Sequence, residues 1–176
     1  SESGSSSYFG SYLLCPAIRK DGTQTKLVFE TEDPDNPGTI TAHASHSSGS
    51  AGIGSVYVLM FTFSGTTGNI EFNSGKVVAQ GGNGAAGIGG GCRGHAQNIT
   101  INGGIVEAKG DGGGAGIGGG WGCNGKDITI NGGTVTATGE EGGAGIGGGR
   151  SYEGPADWIA SGENIHINGG NVTAKA

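Results

Sequence analysis

The chain has little of what a single-cored globule needs. Of its 176 residues only 33% are hydrophobic, 14% charged and 6% aromatic, and one large core is hard to assemble from that composition. No run of about 18 apolar residues occurs, so no segment qualifies as a membrane-spanning helix. No signal-peptide pattern opens the sequence, which suits a mature form or a domain cut from a longer protein. Positive charge is scarce, with 9 Lys and Arg against 15 Asp and Glu and a net charge of -6. That balance argues against nucleic acid or an anionic membrane as partner. Cysteine is limited to Cys15, Cys92 and Cys123 with no Cys-x-x-Cys spacing, which makes a zinc site unexpected. Cys92 and Cys123 fall in corresponding loops of neighbouring repeats, offset by two residues. A disulfide between them is one arrangement, and two free thiols, which the offset favours, is the other.

Glycine is present in excess: 43 residues, about three times the usual share. Without a period it would indicate disorder, and with a strict three-residue period collagen. Here the glycines recur inside a long phrase. Asn-Ile-Thr-Ile-Asn-Gly-Gly-Ile-Val-Glu-Ala-Lys-Gly begins at Asn98. A close copy begins at Asp127, another at Asn164 and a looser one at Asn69. Ala-Gly-Ile-Gly follows at the evenly spaced Ala86, Ala115 and Ala144, and an earlier Ala-Gly-Ile-Gly at Ala51 follows Thr39-Ile40-Thr41-Ala42. Self-similarity at this period marks a stacked architecture.

Within one copy the apolar residues alternate. Ile99 and Ile101, Val106 and Ala108, and Ala115 and Ile117 fall on one side; Thr100, Glu107 and Gly116 fall on the other. This predicts three short strands, each with one buried face. Gly103-Gly104 and the glycines around Asp111 supply sharp corners. Three strands and their corners make one coil of a parallel β-helix, with successive coils about 4.8 Å apart. Gly87, Gly116 and Gly145 are then expected to form a bare outward stripe, open to another copy or domain. Asn73, Asn102, Asn131 and Asn168 share one repeat position, and Asn69, Asn98, Asp127 and Asn164 share another. Such recurrence predicts side-chain ladders between coils, beside the simpler turn preference of Asn-Gly.

The predicted fold is therefore all-β: a right-handed parallel β-solenoid of about four to five glycine-rich coils over residues 38–176. Residues 1–37 precede it as an N-terminal cap and partial first coil, with Tyr8, Phe9, Tyr12, Leu13 and Leu14 as the capping cluster. Val56 to Phe63, apolar on both alternating faces, reads as a strand covered on both sides. No C-terminal cap is visible, so the solenoid is expected to continue past Ala176. A three-fold β-prism lectin also uses glycine-rich repeats, but more than three copies and four stacked asparagines favour the solenoid.

The phrase Ile-Thr-Ile-Asn-Gly-Gly-Thr-Val-Thr-Ala at Ile128 to Ala137 resembles the repeat of secreted bacterial right-handed β-helix domains, over roughly residues 38–176. Some of those domains bind plant cell-wall polysaccharides. The resemblance implies an extracellular or cell-surface location and a carbohydrate partner. It assigns no ligand residues, because the matching positions build the coil. Such domains often carry calcium-binding acids near their corners. Here the corners read Gly-Asp-Gly-Gly-Gly at Gly110 and Gly-Glu-Glu-Gly-Gly at Gly139, while the copy at Gly81 has only Asn83. A repeated calcium site is therefore not expected. Glu30, Glu32, Asp33 and Asp35 form a candidate for a single calcium site, with a solvated acidic turn as the plainer account.

Function in repeat proteins concentrates in variable loops on one face. The separations Ile53 to Ile70, Ile88 to Ile99, Ile117 to Ile128 and Ile146 to Ile165 place all the length variation at one corner. Sugar recognition combines an apolar ring face with planar polar groups. The candidate ligand residues there are Arg93, His95, Trp121, Asn124, Lys126, Arg150, Tyr152, Glu153, Asp157 and Trp158. Each tryptophan could instead seal a glycine surface. Catalysis is not expected, since no placed carboxylate pair emerges, and His43, His46, His95 and His166 are scattered. Ice binding fails because Thr134, Thr136 and Thr138 face Ile105, Glu107 and Lys109 one coil earlier. The expectation is a non-catalytic extracellular module that binds carbohydrate. A spacer or protein-binding adhesin repeat, and a fragment of a polysaccharide-degrading enzyme, are the alternatives.

Overall fold

Short alternating runs such as Ile-Thr-Ile and Val-Glu-Ala bury every second side chain, and Gly-rich corners separate them, so the chain winds instead of folding into a globule. A computed structural model describes residues 17–31, 38–56, 64–151 and 159–176. Coil one contributes β1 (Ile18–Arg19), β2 (Leu27–Phe29) and β3 (Thr39–His43); coil two β4 (Ile53–Gly54), β5 (Ser64–Phe72) and β6 (Lys76–Asn83). Coil three contributes β7 (Ile88–Gly89), β8 (Gly94–Ile101) and β9 (Ile105–Asp111); coil four β10 (Ile117–Gly118), β11 (Gly125–Ile130) and β12 (Thr134–Thr138). Coil five contributes β13 (Ile146–Gly147), β14 (Gly162–Ile167) and β15 (Asn171–Lys175).

Equivalent strands stack into three parallel five-stranded sheets: A (β1-β4-β7-β10-β13), B (β2-β5-β8-β11-β14) and C (β3-β6-β9-β12-β15). The chain is a parallel β-helix. The partial first coil expected before residue 38 supplies β1 and β2, so the stack is already running at Ile18. The capping cluster Tyr8–Leu14, Cys15 and the strand expected beyond Val56 lie outside the described residues.

The core consists of side-chain rows running along the axis. Ile18, Ile53, Ile88, Ile117 and Ile146 form one row, and Leu27, Ile70, Ile99, Ile128 and Ile165 a second. Phe29 and Phe72 begin a third row as a stacked pair, ring centroids 4.8 Å apart, which continues as Ile101, Ile130 and Ile167. Sheet C adds a valine row at Val77, Val106 and Val135 and an alanine row at Ala79, Ala108 and Ala137. From coil two to coil four these side chains are almost wholly buried. Each buried Ile or Val contributes about 1.5–3 kcal/mol. Coil five differs: Ile167 is 54% exposed and Val172 half-buried, because among the described residues no coil lies over it.

The first asparagine row is a continuous ladder. Asn168 Nδ2 donates to Asn131 Oδ1 (2.8 Å), Asn131 to Asn102 (2.8 Å) and Asn102 to Asn73 (2.9 Å). Asn73 in turn donates to Glu30 Oε2 at 3.4 Å. The second row recurs for a backbone reason. Asn69, Asn98, Asp127 and Asn164 all take φ of 51–56°, a left-handed conformation that Asn and Asp tolerate best among residues with a side chain. In that row Asn164 also donates to Asp127 at 2.8 Å.

The outward glycine stripe is corrected. Gly87, Gly116 and Gly145 are buried. A Cβ on Gly116 would lie 2.5 Å from the Thr138 nitrogen and 2.6 Å from the Gly145 carbonyl oxygen. These glycines let the start of each sheet A strand approach the sheet C strand of the same coil, and they offer no free surface to a partner.

Candidate functional site

All five sheet A strands are two residues long, and from coil two onward each is an Ile-Gly pair. Gly118 has φ 137°, and a side chain there would overlap the Gly147 carbonyl one coil on. The chain leaves sheet A at once and enters the variable corner leading to sheet B, whose described residues are 55–56, 90–93, 119–124, 148–151 and 159–161. The corner that brings the chain from sheet C into sheet A lies close by, because so short a strand separates them.

The variable corner is pinned by repeated backbone hydrogen bonds. The Cys92, Trp121 and Arg150 amides donate to the Gly49, Gly84 and Gly113 carbonyls of the preceding coils at 2.7, 2.7 and 2.6 Å. These three unlike residues therefore stack one above another. Arg93, one residue beyond the row, has φ 61° and donates its amide to the Trp121 carbonyl at 3.2 Å. Its guanidinium carbon lies 5.5 Å from the indole centroid, a cation–π distance. Trp121 and Arg150 both rest on Gly113, where an added Cβ would lie 3.0 Å from Trp121 Cδ1 and 3.0 Å from Arg150 Cβ. Trp121 is half-buried and Arg150 exposed. Arg93, Trp121 and Arg150 thus come from three successive coils onto one edge.

A second stacked row consists of His95, Asn124 and Ser161, and here the side chains hold the corner itself. His95 Nδ1 accepts the Asn124 amide at 3.1 Å, and Asn124 Oδ1 accepts the Ser161 amide at 3.0 Å. Each polar side chain satisfies a backbone donor of the coil above. Burial lowers the His95 pKa, in keeping with a neutral ring whose Nδ1 is an acceptor. A third row pairs Gln97, Lys126 and Glu163 in register. Glu163 accepts from Ser161 Oγ at 3.0 Å and Asn124 Nδ2 at 3.5 Å, with Lys126 Nζ 4.0 Å away.

Of the candidate ligand residues, the structure brings Arg93, Trp121 and Arg150 together in one cluster, and His95, Asn124 and Lys126 in a neighbouring one. Tyr152, Glu153, Asp157 and Trp158 lie outside the described residues. Sequence reasoning missed Ser161 and Glu163, although the coil interval relating them to Asn124 and Lys126 was a usable signal. It also missed the glycine floor at Gly84 and Gly113. Trp121 rests on the glycine surface at Gly113, and Arg93 lies over its ring.

Cys92 and Cys123 are not disulfide-bonded. Burial pushes both thiols up, Cys123 to about 12 with the neighbouring Cys92 adding to the effect, so neither is a thiolate at neutral pH. Of the candidate calcium ligands, Glu30 is exposed at the foot of the asparagine ladder, while Glu32, Asp33 and Asp35 lie outside the described residues. Among the described residues no group of three or more His, Cys, Asp or Glu is placed to hold a metal, and no helix is long and apolar enough to cross a membrane.

Compared with known proteins, the chain matches the family model of the beta helix repeat at residues 73–92, 99–121, 128–150 and 165–176. Each match covers the asparagine corner or the strands beside it, the part of the coil that repeats. No curated protein and no solved structure matches the chain.

Proposed function

We propose that this β-helix is an extracellular, non-catalytic binding module that recognises carbohydrate at the sheet A–sheet B corner. One observation carries the reading. The inward rows and the asparagine corner hold repeated residue types, whereas this corner stacks Cys92, Trp121 and Arg150 and sets Arg93 against the indole. Unlike side chains on a rigid edge are how repeat proteins build recognition surfaces. The extracellular assignment follows from the repeat's resemblance to secreted β-helix domains. A non-catalytic role agrees with the state of Glu163, the acid described at this corner, which is tied to Asn124, Ser161 and Lys126.

The test is a glycan and polysaccharide screen with calcium and with chelator, reading intrinsic tryptophan emission. A saturable shift lost in Trp121→Ala places a sugar site on this edge. Binding that needs calcium points to Glu30 and its acidic neighbours. No binding to plant, microbial or mucin glycans overturns the carbohydrate reading and leaves a spacer or protein-binding repeat.

A further inference from the structure

We infer that Asn168 is a self-modification site, converting to aspartate or isoaspartate ahead of every other Asn-Gly pair, and that its loss releases Asn131 and then Asn102 in turn. The inference concerns the asparagine corner and stands apart from the carbohydrate reading. Asn-Gly occurs at Asn83, Asn102, Asn124, Asn131 and Asn168. In such a pair the glycine nitrogen, unhindered by any side chain, attacks the asparagine Cγ. The new N–Cγ bond closes a succinimide ring, the Cγ–Nδ2 bond breaks, and ammonia leaves with the proton from the glycine nitrogen. Water then opens the ring at either carbonyl, and the acid formed ionises as aspartate or isoaspartate. Solvent water is the only co-reactant.

The pairs are alike in sequence, and the fold separates them. Attack needs the Cγ to swing onto the following nitrogen, so each hydrogen bond that holds either group slows it. Asn124 is held throughout: Oδ1 accepts the Ser161 amide at 3.0 Å, Nδ2 donates to Glu163 at 3.5 Å, and the Gly125 nitrogen donates to the Ser161 carbonyl at 3.0 Å. At Asn83 the side chain is exposed, but the Gly84 nitrogen donates to the Asp111 carbonyl at 2.9 Å. Asn102 and Asn131 are exposed yet gripped as middle rungs of the ladder, donating at 2.9 and 2.8 Å and each accepting at 2.8 Å. Asn168, also exposed, is held by one bond, its donation to Asn131 at 2.8 Å. Among the described residues no group donates to its Oδ1, and the Gly169 nitrogen makes no hydrogen bond.

The order of reaction follows from the direction of the ladder. Every rung donates to the coil before it, so the Asn131 Oδ1 depends on Asn168 for its donor. Aspartate or isoaspartate at 168 has no side-chain N–H to give, and it sets a carboxylate against the Asn131 oxygen. Asn131 is then held by one bond, as Asn168 was, and the Gly132 nitrogen is equally uncommitted among the described residues. Asn102 follows last. It keeps a further donation to Glu71 at 3.3 Å, and its Gly103 nitrogen donates weakly to the Phe72 carbonyl at 3.4 Å.

The experiment incubates the whole folded chain at mildly alkaline pH and follows each site by peptide mass spectrometry. Cleavage after Lys and Arg puts the five Asn-Gly pairs on five separate peptides, and fragmentation assigns the converted residue. Asn168 should convert about fivefold or more faster than Asn131, the effect of one hydrogen bond fewer, with Asn124 the slowest. Conversion at Asn131 should show a lag. Asn168→Asp and Asn168→Ala should both abolish that lag, because each removes the donor and leaves the Asn131-Gly132 pair intact. In denaturant the five rates should converge. Equal rates at Asn168 and Asn131 in the folded chain, or Asn131 ahead, overturn the assignment of the site. A parent without a lag, or an Asn131 rate unchanged in both variants, overturns the sequential release. Asn124 reports folding in every sample: where it stays slow the coil stack is intact, and where a variant lets it rise with Asn131, the order is decided by the lag in the parent.

Discussion

Two corners of the same coil follow opposite rules. At the sheet B–sheet C corner, four coils place asparagine at one position, and the last three each donate to the amide one coil earlier at 2.8–2.9 Å. At the sheet A–sheet B corner the equivalent row reads Cys92, Trp121, Arg150, with backbone spacing just as regular. Both rows are fixed by the stacking of coils. An amide row is self-complementary, so its members satisfy one another and the corner is chemically closed. The row of Cys92, Trp121 and Arg150 has no such chain of side-chain amides, and the Arg150 side chain is left exposed, although the neighbouring unlike row of His95, Asn124 and Ser161 does close through backbone amides. In a repeat protein, then, sameness within a row reports support, and difference within a row is where recognition becomes affordable.

The sharpest way to break this comparison is to damage the backbone on which the variable corner stands. Gly118→Ala places a Cβ at φ 137° against the Gly147 carbonyl. It should cost about 3 kcal/mol or more and lower the melting temperature by about 10 °C. Binding should weaken with it, because Trp121 follows three residues later. A melt within a degree or two of the parent would show that the close coil approach is not needed.

Next in size is the ladder. Asn131 both donates and accepts along the row, so Asn131→Ala removes two links and should cost about 1–2 kcal/mol, whereas Asn168→Ala at the end removes one and should cost about half that. Denaturant unfolding measures both. Neither change should alter glycan binding; if Asn131→Ala abolishes binding while remaining folded, the division between a supporting and a recognising corner is wrong.

Trp121→Ala should reverse that pattern. The ring is half-buried, so the stability loss should be only about 1 kcal/mol, while affinity for the glycan found in the screen falls about tenfold or more. Equal losses of stability and binding in Trp121→Ala and Asn131→Ala would erase the contrast.

The smallest effect expected is with pH. Burial holds the His95 pKa below its ordinary value, so the unfolded chain takes up that proton more readily than the folded one. The stability this residue contributes is fully present above about pH 6.5, the unfolded value, and is lost as the pH falls through the interval down to the folded pKa. Protonation would also remove the Nδ1 acceptor used by the Asn124 amide. Between pH 7.5 and pH 5 the parent should therefore lose more thermal stability than His95→Gln. Parallel pH profiles for the two proteins would refute the assigned role.

Much of the fold was legible because inward positions of stacked coils, and the asparagine corner, repeat one kind of residue. Alternation at Ile99–Ile101 and Val106–Ala108 located two of the three strands of a coil, and the recurrence of Asn102 and Asn131 announced a ladder that exists. The glycine stripe was misread for a specific reason: Gly116 sits beyond a strand of only two residues, where alternation no longer tells inside from outside. The variable corner was located correctly, but its division of labour was not visible. His95 and Asn124 each accept a backbone amide of the next coil, a contact their positions in the chain did not announce. The Arg93 guanidinium beside the Trp121 ring was likewise not visible.

By itself the sequence determined the coil: which side chains of sheets B and C face inward, where the chain turns, and that from coil two onward the length variation gathers at one corner. Those features depend on local φ preferences and on a period of two, which neighbouring residues encode. Only the tertiary structure decided what each corner side chain touches. Arg93, Trp121 and Arg150 are far apart in the chain and meet because stacking places them on one glycine floor. Contacts between coils depend on how a two-residue strand and its flanking turns position one loop over the next. No residue's own preference carries that information.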